Sequence, residues 1–328
     1  AFHDNPEDTD ALKDPRFNML VARALYQGIV KYFAQRDGLS LPLLPEPPTK
    51  LRVQNLGGGA LRVSWEPSPT DSQGLRGDPP TGYRVYTSPN GIGWSDGQLI
   101  TDGTSVTLTG LSEGQLIYVR VTAVNGGGES FSTETLAARV GERTGILLVN
   151  GFDRLNNTML LSENDPIEGY NKRMMLDRMN TSAYMIDHAE VIPYPFDSTS
   201  NEAVESELIS LKDYRMVDWI LGQESYHDET LSSGEQALLR GYLDDGRALF
   251  ISGSEIGWDL FNLGSSEDKE FFKQYLRAEY AGDDAGTFEV AAVSGSIFDG
   301  LGSFRFDAPG MYLAEYPDRL GTPAGSIQ

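Results

Sequence analysis

Hydrophobic residues change their spacing twice along this chain, and each spacing admits one kind of architecture. From residue 51 to 140 they recur at every second position in short runs (Leu51/Val53, Leu61/Val63/Trp65, Tyr83/Val85, Val106/Leu108, Tyr118 to Val124), separated by Gly, Pro and Asn clusters. A period of two puts alternate side chains on one face of a strand, so this stretch predicts a small all-β sandwich. From Gly145 onward short apolar runs alternate with helical spacing. Strands are predicted at 146–149, 190–192, 217–221 and 248–251, and helices at 168–180, 201–211, 232–244 and 266–277. That alternation predicts an α/β domain, a doubly wound parallel sheet with helices on both faces. After about Tyr280 the pattern loosens into Gly-rich, strand-like pieces such as 288–293.

Ahead of the sandwich, Pro15 can open a helix in which Phe17, Leu20, Val21, Ala24, Leu25, Ile29 and Phe33 share one face. A single helix has no core of its own, so this face has to pack on something. Residues 37–50 carry four prolines and predict a stiff, extended linker. The expected organisation is therefore a helix at 1–36, a linker at 37–50, a sandwich at 51–141 and an α/β domain at 142–328. The chain starts without Met and ends without an obvious closing element, so both ends look cut.

Composition narrows the function. With 48 acidic against 26 basic residues the formal charge is −22, which repels phosphate backbones, so nucleic acid is not an expected partner. No apolar run approaches the roughly 20 residues that span a bilayer, so no membrane insertion is expected. The absence of cysteine removes thiolate nucleophiles and thiolate metal ligands. Histidine occurs only as His3, His188 and His227, so a metal site would need ligands from distant segments, and no metal or cofactor is expected in this chain.

In an open parallel sheet, ligands gather at the carboxyl ends of the strands. The candidates there are Asp153 and Arg154 after the first strand, Glu224 after the third, and Ser254 and Glu255 after the fourth. Paired carboxylates with shifted pKa values could do acid–base work, and Ser254 with His227 is the serine-hydrolase alternative, although neither Ser252 nor Ser254 has glycines at nucleophile-elbow spacing.

Three resemblances add to this reading. Leu61-Arg-Val-Ser-Trp65-Glu-Pro, Gly82-Tyr83-Arg-Val-Tyr86, Leu111-Ser-Glu-Gly114 and Tyr118-Val-Arg-Val-Thr-Ala-Val-Asn125 together resemble a fibronectin type III domain, which implies that Trp65 fills the inter-sheet core and that the Tyr118 hydroxyl bonds backbone at a strand corner. Ala248-Leu-Phe-Ile-Ser-Gly253-Ser-Glu255-Ile-Gly257 resembles the strand, sharp turn and helix that hold the nucleophile of class I glutamine amidotransferase-like domains. If Gly253 and Gly257 align with the flanking glycines of that family, Glu255 stands at the nucleophile position and the family's thioester chemistry is lost. Residues 1–34, with Asn5-Pro6-Glu7-Asp8, Asp14-Pro15-Arg-Phe17 and the helix that follows, resemble the end of the catalytic domain of zinc-dependent N-acetylmuramoyl-L-alanine amidases. This implies zinc in an upstream catalytic domain and no zinc ligand here.

The expected function is the accessory, non-catalytic region of a secreted bacterial peptidoglycan amidase. It would act in the periplasm, at the cell surface or outside the cell, and bind peptidoglycan, another surface glycan or a protein. The alternatives are an α/β domain that is itself a hydrolase or lyase, and a structural or adhesive surface protein.

Overall fold

Asp14 sits in extended backbone ahead of Pro15, and its carboxylate accepts the Arg16 amide at 2.8 Å. These are the N-cap and first-turn proline of α2 (Pro15–Asp37), which follows α1 (Pro6–Lys13) and stops at Gly38, held left-handed at φ 65°. The computed structural model, with elements numbered in chain order, describes residues 5–70, 76–155, 161–167, 169–173, 183–226, 229–306 and 316–321. It divides into two compact units, one built from residues 1–144 and 155–200 and the other from 145–154 and 201–328.

In the first unit the apolar stripe of α2 stays open to solvent, with Leu20, Leu25 and Ile29 more than half exposed. What ties the helix down is polar: the Tyr26 hydroxyl accepts the Leu44 amide at 3.1 Å, and Arg23 pairs with Glu46. The proline-rich stretch is extended, as its composition demands, yet it is packed. The Leu43 amide donates to Asp78 at 2.6 Å, and the Asn125 side chain donates to the Leu43 carbonyl at 2.8 Å.

The sandwich follows from the period-two pattern. One sheet holds β1 (Thr49–Gly57), β2 (Ala60–Glu66) and β5 (Ser105–Leu108); the other runs β4 (Gln98–Ile100), β3 (Gly82–Ser88), β6 (Leu116–Asn125) and β7 (Gly128–Ser132), with β8 (Leu136–Arg139) also on β6. Gly58 and Gly59, at φ 59° and 72°, make the tight turn that joins β1 to β2, and a Cβ on Gly59 would meet the Leu111 carbonyl oxygen at 2.4 Å. Trp65 is fully buried between the sheets and meets Tyr83 edge to face, ring centroids 5.3 Å apart. Tyr118 corrects an expectation. Its hydroxyl is buried without a hydrogen-bond partner among the described residues, and burial, followed by Glu190 nearby, pushes it up to about 12.

Residues 155–200 depart from the expected layout. Residues 169–173, expected in a helix, form β11 (Gly169–Arg173), paired antiparallel with β10 (Leu161–Asp165); residues 174–180 of that expected helix lie outside the described residues. Gly169, at φ 78°, accepts a turn geometry that ends any helix there. Glu190 and Val191 of the strand expected at 190–192 are instead the end of α3 (Ala183–Val191), and Ile192 follows it; Met185 and Ala189, four apart, are both buried on one helical face. The next strand, β12 (Asp197–Ser200), pairs antiparallel with β1, so the sandwich gains a strand from beyond residue 141, the boundary expected for it.

The second unit is built on three parallel strands in the order β14 (Ala248–Gly253), β13 (Met216–Gly222), β9 (Ile146–Asn150). β9 and β13 read as continuous apolar runs because they are buried along most of their length. Around them pack α4 (Asn201–Glu205), α5 (Ser233–Asp244) and α6 (Ser266–Gln274). Leu147, Val149, Trp219, Leu239, Phe271 and Phe272 share their core. Both long helices start with a reciprocal cap, Ser232 with Glu235 and Ser265 with Asp268. Two ribbons close the unit, β15 (Glu279–Gly282) with β18 (Arg319–Gly321) and β16 (Glu289–Ala291) with β17 (Ser303–Arg305).

Candidate functional site

The carboxyl ends of β9, β13 and β14 bring together four of the five residues singled out in the sequence. Parallel pairing in register places Asn150 beside Ile220, and Ile220 beside Ser252, so the loops that follow all emerge at one end. Glu224 is 2% exposed, and its Oε2 accepts the backbone amides of Asp153 at 2.8 Å and Arg154 at 2.9 Å. The Arg154 guanidinium returns a hydrogen bond to the Gln223 carbonyl at 3.0 Å. Two loops are thereby tied by three bonds, two of them on one carboxyl oxygen.

Burial, then the neighbouring Asp153 carboxylate, lifts Glu224 to about 9, so at neutral pH it is a neutral acid. Glu255 is also pushed up, chiefly by burial, with Arg154 opposing and Asp318, Asp283 and Asp259 adding to the rise. The Ser225 hydroxyl donates to Glu255 Oε2. These two partners share a backbone feature: Ser225 lies at φ 61° and Glu255 at φ 60°, left-handed conformations that cost a non-glycine residue energy and persist where surroundings impose them.

Ser254 takes a different role. Its amide donates to the Gly222 carbonyl at 2.8 Å and extends the β13–β14 pairing. His227 lies outside the described residues, and His188 belongs to α3 in the other unit. Two contributors were not legible in the sequence. Ser225 had no marker beyond its place next to Glu224. Asp318, 60 residues past Trp258, accepts the Gly257 and Trp258 amides at 2.9 and 3.0 Å just after the Glu255 turn, and burial raises its pKa. No spacing or motif links so distant a residue to this turn.

The arrangement can hold a proton on Glu224 and present a carboxyl at Glu255 within the electrostatic influence of the Arg154 guanidinium. Among the described residues, no group of three or more His, Cys, Asp or Glu side chains could hold a metal ion.

Comparison with known proteins bears on the other unit. The family model for the fibronectin type III domain matches residues 46–139, and those residues are a fibronectin type III domain. Among solved structures, the chain is similar to the FN5 domain of Drosophila Lar, at 18% identity over 30% of this chain and 100% of that one, with a TM-score of 0.24. It is similar to the twitchin kinase region from C. elegans, at 26% identity over 30% of this chain and 17% of that one, TM-score 0.26. A third is the beta-1,2-glucanase from Parabacteroides distasonis, at 22% identity over 32% of this chain and 14% of that one, TM-score 0.26. The chain thus spans under a fifth of the twitchin and glucanase chains. No curated protein matches it.

Proposed function

We propose that this chain is a binding and scaffolding region that accompanies a secreted bacterial peptidoglycan amidase, with an amidotransferase-like α/β unit that has lost its nucleophile. One observation carries the reading: Glu255, left-handed at φ 60°, stands at the strand-to-helix turn where the resemblance puts the nucleophile, and is hydrogen-bonded to Ser225. A carboxyl group at that turn cannot form a thioester. The fibronectin type III domain at 46–139 supports a binding or scaffolding role, and the likeness of residues 1–34 to the end of an amidase catalytic domain supports the parent activity. Zinc, which would activate the water for amide hydrolysis, belongs in this reading to the catalytic domain and not to these residues. The partner is peptidoglycan or another surface glycan or protein.

A second reading, hydrolysis or lysis in the crevice itself, is favoured by the neutral Glu224, which could serve as an acid. Incubating the chain with purified peptidoglycan sacculi separates the two. Co-sedimentation without release of stem peptides or reducing ends is the expected result; release that Glu255→Gln abolishes would establish the second reading and overturn the first.

A further inference from the structure

A cleft on the fibronectin type III domain has the chemistry of a small-molecule site. It opens between the end of β3, the loop that follows and the start of β6, and has a volume of about 320 Å³. That is near the lower end of the ~300–1,000 Å³ of small-molecule sites, enough for one ring. Trp94, Pro89 and Ile117 supply apolar walls, and Thr87, Ser95 and Gln115 supply hydroxyl and amide groups. No lining residue is ionisable.

The cleft is preformed. Asn90 Oδ1 accepts the amides of Ile92 and Gly93 at 3.0 and 2.9 Å, and Ser88 Oγ accepts those of Asn90 and Gly91 at 3.2 and 2.9 Å. The Ser95 amide donates to the Thr87 carbonyl at 2.9 Å, and the Thr87 amide to Ser95 Oγ at 3.1 Å. Behind the loop, the Arg120 guanidinium lies 4.2 Å from the centre of the Trp94 ring and 5.5 Å from that of Tyr86. Its Nε is buried without a hydrogen-bond partner among the described residues, and the two rings together with the charge of Glu129 favour the cation there. One face of Trp94 is therefore braced by a cation, and a braced aromatic plane binds with little loss of conformational freedom.

We propose that this cleft binds the terminal pyranose of a neutral oligosaccharide, its C–H face on Trp94 and its hydroxyls at Ser95 and Gln115. The negative face of an aromatic ring attracts the weakly positive C–H groups of a sugar, and the polar rim matches its hydroxyl edge. A neutral ligand also escapes the repulsion that a chain of net charge −22 exerts on anions. An extended peptide would need an open strand edge, but Thr87 is already paired with Val119 of β6 on one side and bonded to Ser95 on the other. The inference goes beyond the amidase reading and does not depend on it.

The test is titration of the ¹⁵N-labelled full chain with chitotriose and with cellotriose, following the Trp94 indole N–H and the Gln115 side-chain amide. Both signals should shift and saturate with at least one sugar, with a dissociation constant on the order of 1 mM for one ring and few hydrogen bonds. Trp94→Ala should abolish the Gln115 shift. Gln115→Ala, which also removes the acceptor of the Ser112 amide in its own exposed turn, should weaken binding several-fold while the Trp94 signal still reports. Absence of any shift at Trp94 and Gln115 with both sugars, unchanged affinity in both variants, or saturation by an unrelated peptide instead would overturn the proposal. Sacculus binding without a Trp94 shift would sink this inference alone, and a Trp94 shift without sacculus binding would sink only the amidase reading.

Discussion

Glu224 shows what a single carboxyl group does when two backbone amides and a second carboxylate converge on it. The amides stabilise its anion, but burial and Asp153 outweigh them and leave it neutral to about pH 9. In the unfolded chain it ionises near pH 4.5. Its contribution to stability is therefore fully present below pH 4.5, falls as the pH rises and is gone by about pH 9. Glu235, lifted to about 7 mainly by burial, acts with the same sign over a shorter range. Urea denaturation at pH 5, 7 and 9 should show wild-type stability falling more steeply than that of Glu224→Gln, which keeps the amide acceptor but cannot ionise. Equal slopes would mean that Glu224 is charged in the folded protein.

Between elements, the decisive interaction is the seam of β12 and β1. Asp197 is 2% exposed; its Oδ1 accepts the Asn55 amide at 2.7 Å and the Asn55 side chain at 3.1 Å, and its Oδ2 lies 3.3 Å from the Arg143 guanidinium. Asn55 in turn donates to the Phe196 carbonyl at 3.0 Å and accepts the Gly141 amide at 2.9 Å. Asp197→Ala strands the buried Asn55 backbone amide, while the Asn55 side chain keeps the Phe196 and Arg139 carbonyls, so a loss of roughly 1–3 kcal/mol is expected. Hydrogen exchange at the Asn55 amide should accelerate sharply, while Asp197→Asn, which keeps an acceptor, should retain most of the protection. Unchanged exchange in Asp197→Ala would show that β12 is not held by this carboxylate. None of this seam was visible beforehand, because Asp197-Ser-Thr-Ser200 has no apolar alternation and consists of residue types as common in turns as in strands. Its side chains are buried for their hydrogen bonds, as when Ser198 Oγ bonds the Ala137 carbonyl.

Across the molecule, 48 acidic residues against 26 basic ones leave an excess that the ion pairs absorb only locally, as at Arg52–Glu66 and Lys212–Asp245. Such an excess repels itself in the compact state, and salt relieves it by shortening the screening length from ~30 Å at 0.01 M to ~10 Å at 0.1 M. The thermal unfolding midpoint followed by circular dichroism should rise by a few degrees over that range, on the order of 1 kcal/mol. A falling midpoint would show that surface ion pairs outweigh the net repulsion.

Local chemistry alone settled what depends on neighbours in the chain. The main strands of the fibronectin type III domain, the helix opened by Pro15 and the apolar runs of β9, β13 and β14 were all legible, because burial of a periodic face is a short-range demand. The crevice was legible as a place, since parallel strands end together, and Asp153, Arg154, Glu224 and Glu255 do stand there. Only tertiary structure decided the rest. Ser225 and Asp318 reach the site through contacts over 30 and 60 residues, β12 crosses to the sandwich through 142 residues of separation, and Tyr118 loses its expected partner to burial beside α3. Pairings of that kind depend on which buried polar groups find each other once the cores have closed, and no local pattern in the chain records them.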